Sequence, residues 1–166
     1  TAKYMLGNLS GFNPDTDMVP LKDLLELDKL ALVKLNSLIE KAKAGYDSFD
    51  FHVVYHAIYN FCVVDMSNFY LDIIKDRLYC EAPDSLERRS AQTAMYLILN
   101  AFTKLIAPIL AYTSDEIWEY MPHSGKDNPE HVVLNDLEPH LYRYQRCTES
   151  VGSKAGRKAH RKIFGG

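Results

Sequence analysis

Apolar residues recur at helical spacing over several long stretches of the 166-residue chain. Between Asp17 and Ala44 a broad apolar side is opposed by charged residues, which is typical of a helix in a bundle. The apolar side includes Leu24, Leu27, Ala31, Leu35, Leu38 and Ala42. We predict that this helix begins near Asp17 and Pro20, with Asp17 as the N-cap, and ends before Gly45 as its C′ residue.

Two further helices are predicted on either side of it. Thr1–Leu9 has the pattern of the last part of a helix, which stops at the turn residues 10–15. Residues 49–79 contain no proline or glycine and show no persistent two-residue alternation. They are therefore predicted to form one helix, long enough to bend and capped by Asp47 or Ser48.

The second half of the chain predicts two more helices. Asp84 opens a capping box of the form Asp-x-x-Glu, which predicts a helix over 85–106. Thr113 repeats that spacing and predicts a short helix through residue 121. Residues 131–134 are predicted to form a short strand.

Five helical segments joined by short turns predict an all-α fold, an antiparallel helical bundle. We expect the bundle to occupy residues 1–122. A loop with a short extended segment should follow over 123–140, and a basic, disordered tail over 141–166.

Charge divides the chain in the same place. The net charge is −3, which excludes a uniformly basic nucleic-acid binder. Residues 141–166 hold seven Lys or Arg and one acidic residue, a net charge of +6, while residues 1–140 carry −9. An acidic domain therefore carries a short basic tail.

Motifs for metal binding, catalysis or membrane insertion are weak. The three cysteines include no CxxC pair, so we expect reduced thiols rather than a disulfide framework or a zinc site. His52 and His56 are four residues apart, but no third ligand is evident. The longest apolar run, 105–112, is too short to span a bilayer. We expect a soluble, cytoplasmic protein without catalytic residues of its own.

Basic residues are concentrated at one junction between predicted helices. Lys75 and Arg77 end the third helix, Arg88 and Arg89 begin the fourth, and Tyr79 lies between the two pairs. One interpretation is a local phosphate site in which Tyr79 stacks on an unpaired base. The alternative is that Arg88 and Arg89 pair with nearby acids, namely Asp84, Glu87 or Asp76.

The segment 61–79, FCVVDMSNFYLDIIKDRLY, resembles the anticodon-binding helical domain of bacterial-type isoleucyl-tRNA synthetases, which are class I enzymes. Four further stretches agree in order and spacing: YMLGNLSGFNP (4–14), RRSAQTAMY (88–96), APILAYTSDEIWEYMP (107–122) and VVLNDLEP (132–139). Valyl and leucyl relatives share the bundle, but the FYLDIIKDRLY block is more similar to the isoleucyl type.

The resemblance implies that the complete enzyme activates isoleucine with ATP and magnesium and transfers it to tRNA(Ile). The HIGH and KMSKS motifs of that chemistry are absent from this chain. A zinc-binding module of the family would lie beyond it. We therefore expect a non-catalytic, monomeric fragment without a cofactor. Its partners would be the anticodon stem-loop of tRNA(Ile) and the catalytic domain of the same parent chain.

In an up-and-down bundle the turn 8–17 and the junction 75–89 should share one end, which we expect to face the anticodon. The candidates for phosphate contacts are Lys75, Arg77, Arg88 and Arg89. The candidates for base or sugar contacts are Asn8, Asn13 and Tyr79. A second interpretation makes Arg77 or Arg88 a buried, structural ion-pair partner.

After Pro139 the resemblance stops. The chain ends LYRYQRCTESVGSKAGRKAHRKIFGG, where the family continues with a pattern like RDxVxKALE…IGxSLEA. Permitted codons from Gln145 onward, read one base later, encode RDVQKALEVRRAGKHIGKSLG, which matches that continuation. We hypothesise that the tail is a frameshifted translation of the native gene; the alternative is a basic RNA-binding extension.

Two other functions remain open at this point. One is a helical protein-interaction scaffold that binds no RNA, which the acidic, aromatic-rich bundle would also suit. The other is the equivalent domain of a valyl-type synthetase.

Overall fold

In the computed structural model of the chain the structure describes residues 1–135, and every regular element among them is helical. The predictions for the basic tail lie outside the described residues. The α-helices are α1 (Ala2–Asn8), α2 (Glu26–Asp47), α3 (Phe51–Asn60), α4 (Leu71–Ile73), α5 (Lys75–Cys80), α6 (Leu86–Ile106) and α7 (Ala111–Tyr120). A π-helical segment spans Phe61–Tyr70, and 3-10 turns span Leu21–Asp23 and Val132–Leu134.

Helix α6 is the centre of the bundle. From Ser90 to Ile106 all of its residues are buried except Leu97 and Asn100, which are half-buried. Helices α1, α2, α5 and α7 pack around it. Burial on all sides explains why the apolar positions of this helix are so numerous. The all-α prediction is confirmed.

The predicted long third helix is an almost continuous helical run made of α3, the π-helical segment, α4 and α5. Ile74, whose side chain is fully buried, separates α4 from α5, and backbone hydrogen bonds from Ile74 to Tyr70 and from Leu78 to Ile74 carry the run across it. The predicted caps are wrong, because Asp47 still belongs to α2 and Ser48 follows its last residue. Phe49, with a φ of 61°, makes the turn, and Asp50 stands at the N-cap position of α3.

The predicted start of the second helix near Asp17 is also wrong. Helix α2 begins at Glu26, after a 3-10 turn and an extended stretch. The Val19 N–H donates to Thr93 Oγ1 at 3.0 Å, and the Leu25 N–H donates to Ser90 Oγ at 3.0 Å. These bonds to α6 hold the backbone of this stretch against the central helix, so tertiary contacts override the local start signals.

Gly45 is not a C′ residue. It lies inside α2, which continues to Asp47, and it is buried. A Cβ at this position would lie 2.6 Å from Val54 Cγ2. Glycine is needed here because α3 passes close to α2, not because the backbone turns.

The predicted capping box of Asp84 and Glu87 does not form, because the helix begins one residue later. Ser85 is the N-cap, and its Oγ accepts the Arg88 N–H at 3.3 Å, while the end of the helix at Ile106 is as predicted. Helix α7 begins at Ala111, two residues before Thr113.

The predicted strand at 131–134 is wrong, because Val132–Leu134 forms a 3-10 turn. The Val132 N–H donates to Asp115 Oδ1 at 3.1 Å, and the Asn135 N–H donates to the Val132 carbonyl. These local and side-chain bonds use donors that a strand would direct to a neighbouring strand. No helix within residues 1–135 is long and apolar enough to cross a membrane.

Candidate nucleic-acid interface

The loop after α1 and the junction between α5 and α6 meet at one end of the bundle, as predicted. Arg89 Nη1 donates to Asp17 Oδ2 at 3.0 Å, across 72 residues of sequence. The Gln92 side chain donates to the Asn8 carbonyl at 3.1 Å. We call the surface formed by residues 8–17 and 75–89 the distal surface.

Arg89 lies between the two loops of the distal surface. Besides Asp17 it contacts Gln92 Oε1 at 3.3 Å and Asp84 Oδ1 at 3.4 Å, and about a fifth of its side chain is exposed. Arg89 therefore pairs with Asp84, as the alternative interpretation predicts, and also with Asp17, which is distant in sequence. Arg89 joins the loop after α1 to the start of α6.

Asn13 stabilises the turn that presents Asp17. Its N–H donates to Asp17 Oδ2 at 2.9 Å, and its side-chain oxygen accepts the Asp15 N–H at 2.9 Å. The Asn13 N–H is the main reason why the pKa of Asp17 is lowered, with smaller effects from Thr16 and Arg89. Asn13 is exposed, so solvent reaches it in this loop.

Arg77 is a structural ion-pair partner, the second interpretation from the sequence. Its Nη1 lies 3.3 Å from Oδ2 of Asp28, a carboxylate with no exposed surface. Asp28 also accepts hydrogen bonds from the Tyr70 hydroxyl at 2.7 Å and from the Ser90 hydroxyl. This network joins α2, the π-helical segment, α5 and α6. Burial raises the pKa of Asp28, although the hydrogen bonds from Ser90 and Tyr70 and the charge of Arg77 oppose the shift.

Lys75 and Arg88 are held less firmly. Lys75 Nζ lies 2.6 Å from Asp72 Oδ1, and about half of each side chain is exposed. The hydrogen bond with Asp72 raises the pKa of Lys75, so the ammonium stays charged. Arg88 Nη1 makes a long bond of 3.5 Å to the Glu81 carbonyl. Exposed pairs of this kind contribute little to stability, so a phosphate can replace the protein partner.

Tyr79 and Asn8 come together beside Tyr4. Tyr79 is 65% exposed. Polar contact with Tyr4, and then with Asn8, lowers the pKa of the Tyr79 hydroxyl. Burial, and then the neighbouring Tyr79 hydroxyl, raises the pKa of Tyr4 to about 12. The Asn8 side chain also donates to the Tyr4 carbonyl at 2.9 Å. An exposed ring next to an amide is suited to stack on and hydrogen-bond an unpaired base.

Sequence reasoning missed the partners of the two arginines. The sequence predicts Asp17 as a helix cap and assigns no role to Asp28 or Gln92. The available signal was their position, because Asp28 lies among the apolar residues of α2 and Gln92 among those of α6. A polar residue within an apolar stripe needs a buried partner.

Metal binding finds no support in the part of the chain that the structure describes. Among residues 1–135, no group of three or more His, Cys, Asp or Glu side chains is placed to hold an ion. His52 and His56, four residues apart on α3, are both exposed.

Comparison with known proteins now adds to this geometry. Residues 28–159 match the family model described as the anticodon-binding domain of tRNA ligase. That match continues past residue 140, where the resemblance noted in the sequence ends.

Similar proteins are isoleucine–tRNA ligases. That of Syntrophotalea carbinolica is 57% identical over 122 residues, which are 74% of this chain and 13% of the relative. That of Caldanaerobacter subterraneus subsp. tengcongensis is 51% identical over 136 residues, 82% and 15% respectively. That of Brevibacillus brevis is 53% identical over 145 residues, 85% and 15%. The chain thus spans about one seventh of the length of these relatives, and it belongs to the anticodon-binding domain family of tRNA ligases.

Proposed function

We propose that the chain is the anticodon-binding part of an isoleucine–tRNA ligase and that its distal surface binds the anticodon stem-loop of tRNA(Ile). The observation that carries the proposal is the family match over residues 28–159, which includes the whole junction 75–89. The relatives named above are all isoleucine–tRNA ligases, which favours tRNA(Ile) over other tRNAs.

The geometry supports a division of work among the basic residues. Lys75 and Arg88 are exposed or half-exposed and weakly held, so they are the phosphate contacts. Arg77 contacts Asp28 through Nη1 only, so its other donors are available to RNA. Arg89 uses both Nη1 and Nη2 on carboxylates and acts mainly by holding the two loops together.

The polar and aromatic residues of the distal surface would contact bases or sugars. Tyr79 is the stacking residue, since its ring is exposed beside the polar side chain of Asn8. Asn8 and Asn13 supply amide groups on either side of the same loop. Single-stranded loops are read in this way, through stacking and hydrogen bonds to unpaired base edges.

The net charge of residues 1–140, −9, bears on specificity. A body with this charge repels the phosphate backbone in general, so diffuse electrostatic binding is weak. Affinity must then come from a few cations at defined positions. We therefore expect binding that depends on the shape of the stem-loop.

The chemistry of the longer enzyme lies in the rest of its polypeptide. We propose that this enzyme joins isoleucine to tRNA(Ile) with ATP and magnesium in the cytoplasm. The zinc and the ATP of this enzyme would be bound by residues outside those that the structure describes. The domain itself contributes RNA binding as a monomer and carries no reacting group.

Competition between tRNAs tests the proposal. The affinity of the chain for tRNA(Ile), for tRNA(Val) and for an unrelated tRNA is measured by fluorescence anisotropy over a range of salt concentrations. We expect tRNA(Ile) to bind most tightly, with a salt dependence that reports a few phosphate contacts. Equal affinity for all three would contradict anticodon recognition. Preference for tRNA(Val) would place the domain in the valyl type, and no binding would favour a protein-interaction scaffold.

A further inference from the structure

Neighbouring polar side chains of α6 hold the segment 8–25 against the bundle. They are Arg89, Ser90, Gln92 and Thr93. Gln92 holds the end of α1, because its Nε2 donates to the Asn8 carbonyl at 3.1 Å, across 84 residues of sequence. Only 3% of Gln92 is exposed. A buried amide therefore connects the centre of the bundle to a residue of the distal surface.

The Gln92 amide has one possible orientation. Its Nε2 faces the carbonyl of Asn8, which can only accept, and its Oε1 faces Arg89 Nη1 at 3.3 Å, which can only donate. Reversing the amide would place donor against donor and acceptor against acceptor. Because both ends of the amide are used, Gln92 fixes the Asn8 carbonyl relative to Arg89, and Arg89 in turn contacts Asp84 in the junction 75–89.

The Asn8 carbonyl depends on a donor from outside α1. Helix α1 ends at Asn8, and a carbonyl in the last turn of a helix has no N–H group of its own helix to accept. Gln92 supplies that donor and so fixes the peptide group after Asn8. The same bond sets the direction in which the chain leaves α1 toward the turn at Asn13. Without it the backbone at Asn8 is free to rotate toward another donor.

The side chain of Asn8 belongs to the part of the distal surface that is suited to bases. Its Nδ2 donates to the Tyr4 carbonyl at 2.9 Å, and the side chain lies beside Tyr79, whose ring is 65% exposed. Gln92 itself is too deeply buried to touch a base. Any effect of Gln92 on the reading of bases must therefore pass through Asn8 or through Arg89.

We propose that Gln92 is a positioning residue for anticodon recognition, whose amide holds Asn8 where Asn8 and Tyr79 discriminate between bases. This role rests on the proposed RNA site and adds to it a determinant of specificity that does not contact the RNA. The proposed phosphate contacts are independent of it, since Lys75 bonds to Asp72 and Arg88 to the Glu81 carbonyl. Gln92 should therefore affect the choice between stem-loops and not the number of phosphates bound.

Two variants of Gln92 and one of its neighbour test this role. Gln92→Leu removes donor and acceptor together, whereas ionised Gln92→Glu removes the donor and keeps an acceptor for Arg89. Thr93→Val is the matched control, because Thr93 is fully buried on α6 and its Oγ1 accepts the Val19 N–H at 3.0 Å, outside the distal surface. The affinity of each chain is measured over a range of salt concentrations for two RNAs, the anticodon stem-loop of tRNA(Ile) and the same stem-loop with an altered anticodon.

We expect both Gln92 variants to reduce the ratio of the two affinities by about tenfold, which is the worth of one lost hydrogen bond. The slope of log affinity against log salt should stay the same, since no phosphate contact is removed. Thr93→Val should lower the thermal midpoint but keep the wild-type ratio. If both Gln92 variants keep that ratio, or if Thr93→Val reduces it equally, the proposal is overturned. A ratio lost in Gln92→Leu and kept in Gln92→Glu would overturn it too, because the effect would then pass through Arg89.

NMR spectra of the free chain separate this role from the proposed RNA site. The side-chain amide resonances of Asn8 should move in both Gln92 variants and stay in place in Thr93→Val, without any RNA. Asn8 resonances that do not move in the Gln92 variants would overturn the positioning role and leave the RNA site standing. A wild-type chain that binds both stem-loops equally would overturn the proposed function, and the role of Gln92 with it.

Discussion

Arg77 pairs with Asp28 across 49 residues of sequence, and the carboxylate that it neutralises has no exposed surface. The pair lies where α2, the π-helical segment, α5 and α6 come together. A buried carboxylate is tolerated only with hydrogen bonds and a counter-charge. The residues that form the basic junction therefore also fix the helices that present it.

Removal of the Tyr70 hydroxyl tests whether this network stabilises the fold. Tyr70 is almost completely buried and donates to Asp28 Oδ1 at 2.7 Å. Tyr70→Phe should lower the free energy of unfolding by about 1–3 kcal/mol, because a buried acceptor loses a donor. Urea unfolding measures this, with exposed Tyr59→Phe as the matched control. Equal stability of the two variants would show that the bond does not support the fold.

Asp28 predicts a particular pH dependence. Burial raises the pKa of Asp28 above the ordinary aspartate value of 3.8, so the stabilisation that comes from the protonated side chain is complete below that value. The contribution is lost as the pH rises through the higher pKa of the folded state. In Asp28→Asn this loss cannot occur. The stability of the variant relative to the wild type should therefore improve as the pH rises above about 4, whatever constant cost the unpaired Arg77 adds. If the difference in stability between the variant and the wild type is the same at all pH values, or falls as the pH rises, the pKa of Asp28 is not raised.

Glycines in α2 and α1 offer a matched pair for close helix packing. An alanine Cβ at Gly45 would lie 2.6 Å from Val54 Cγ2. Val54 is fully buried and its β-branched side chain is stiff, so it cannot easily move away. Gly45→Ala should destabilise the domain by about 1–3 kcal/mol. Gly7 has nothing within 4 Å, so Gly7→Ala should be neutral or stabilise by up to about 1 kcal/mol. Thermal unfolding that ranks the two variants the other way would contradict this packing.

Much of the architecture follows from the sequence, because helical periodicity and the absence of strand patterns are local properties. The end of α6 at Ile106 is one example. The failures arise where tertiary contacts decide. Residues around Val19 bond to α6 instead of starting a helix, and Gly45 serves packing instead of a turn. The sequence shows the clustering of the basic residues and the unusual position of Asp28 among apolar residues, but not the pairing of Asp28 with Arg77, because the two partners are 49 residues apart.

Salt dependence separates phosphate contacts from residues that hold loops. Lys75→Ala and Arg88→Ala should each weaken binding of any stem-loop and reduce the slope of log affinity against log salt by about one. Lys41→Ala, an exposed lysine near the far end of α2, is the control and should change neither quantity. If Lys41→Ala has the same effect as Lys75→Ala, the binding is diffuse and the distal surface is not the site.

Amide chemical-shift mapping with the anticodon stem-loop of tRNA(Ile) locates the RNA-binding surface of the domain. We expect saturable shifts concentrated in residues 8–17 and 75–89, with Tyr79 and Arg88 among the largest and α3 unaffected. These shifts should diminish with a stem-loop of altered anticodon. Shifts that centre on α3 or α7, or that are the same for both stem-loops, would contradict anticodon recognition at the distal surface.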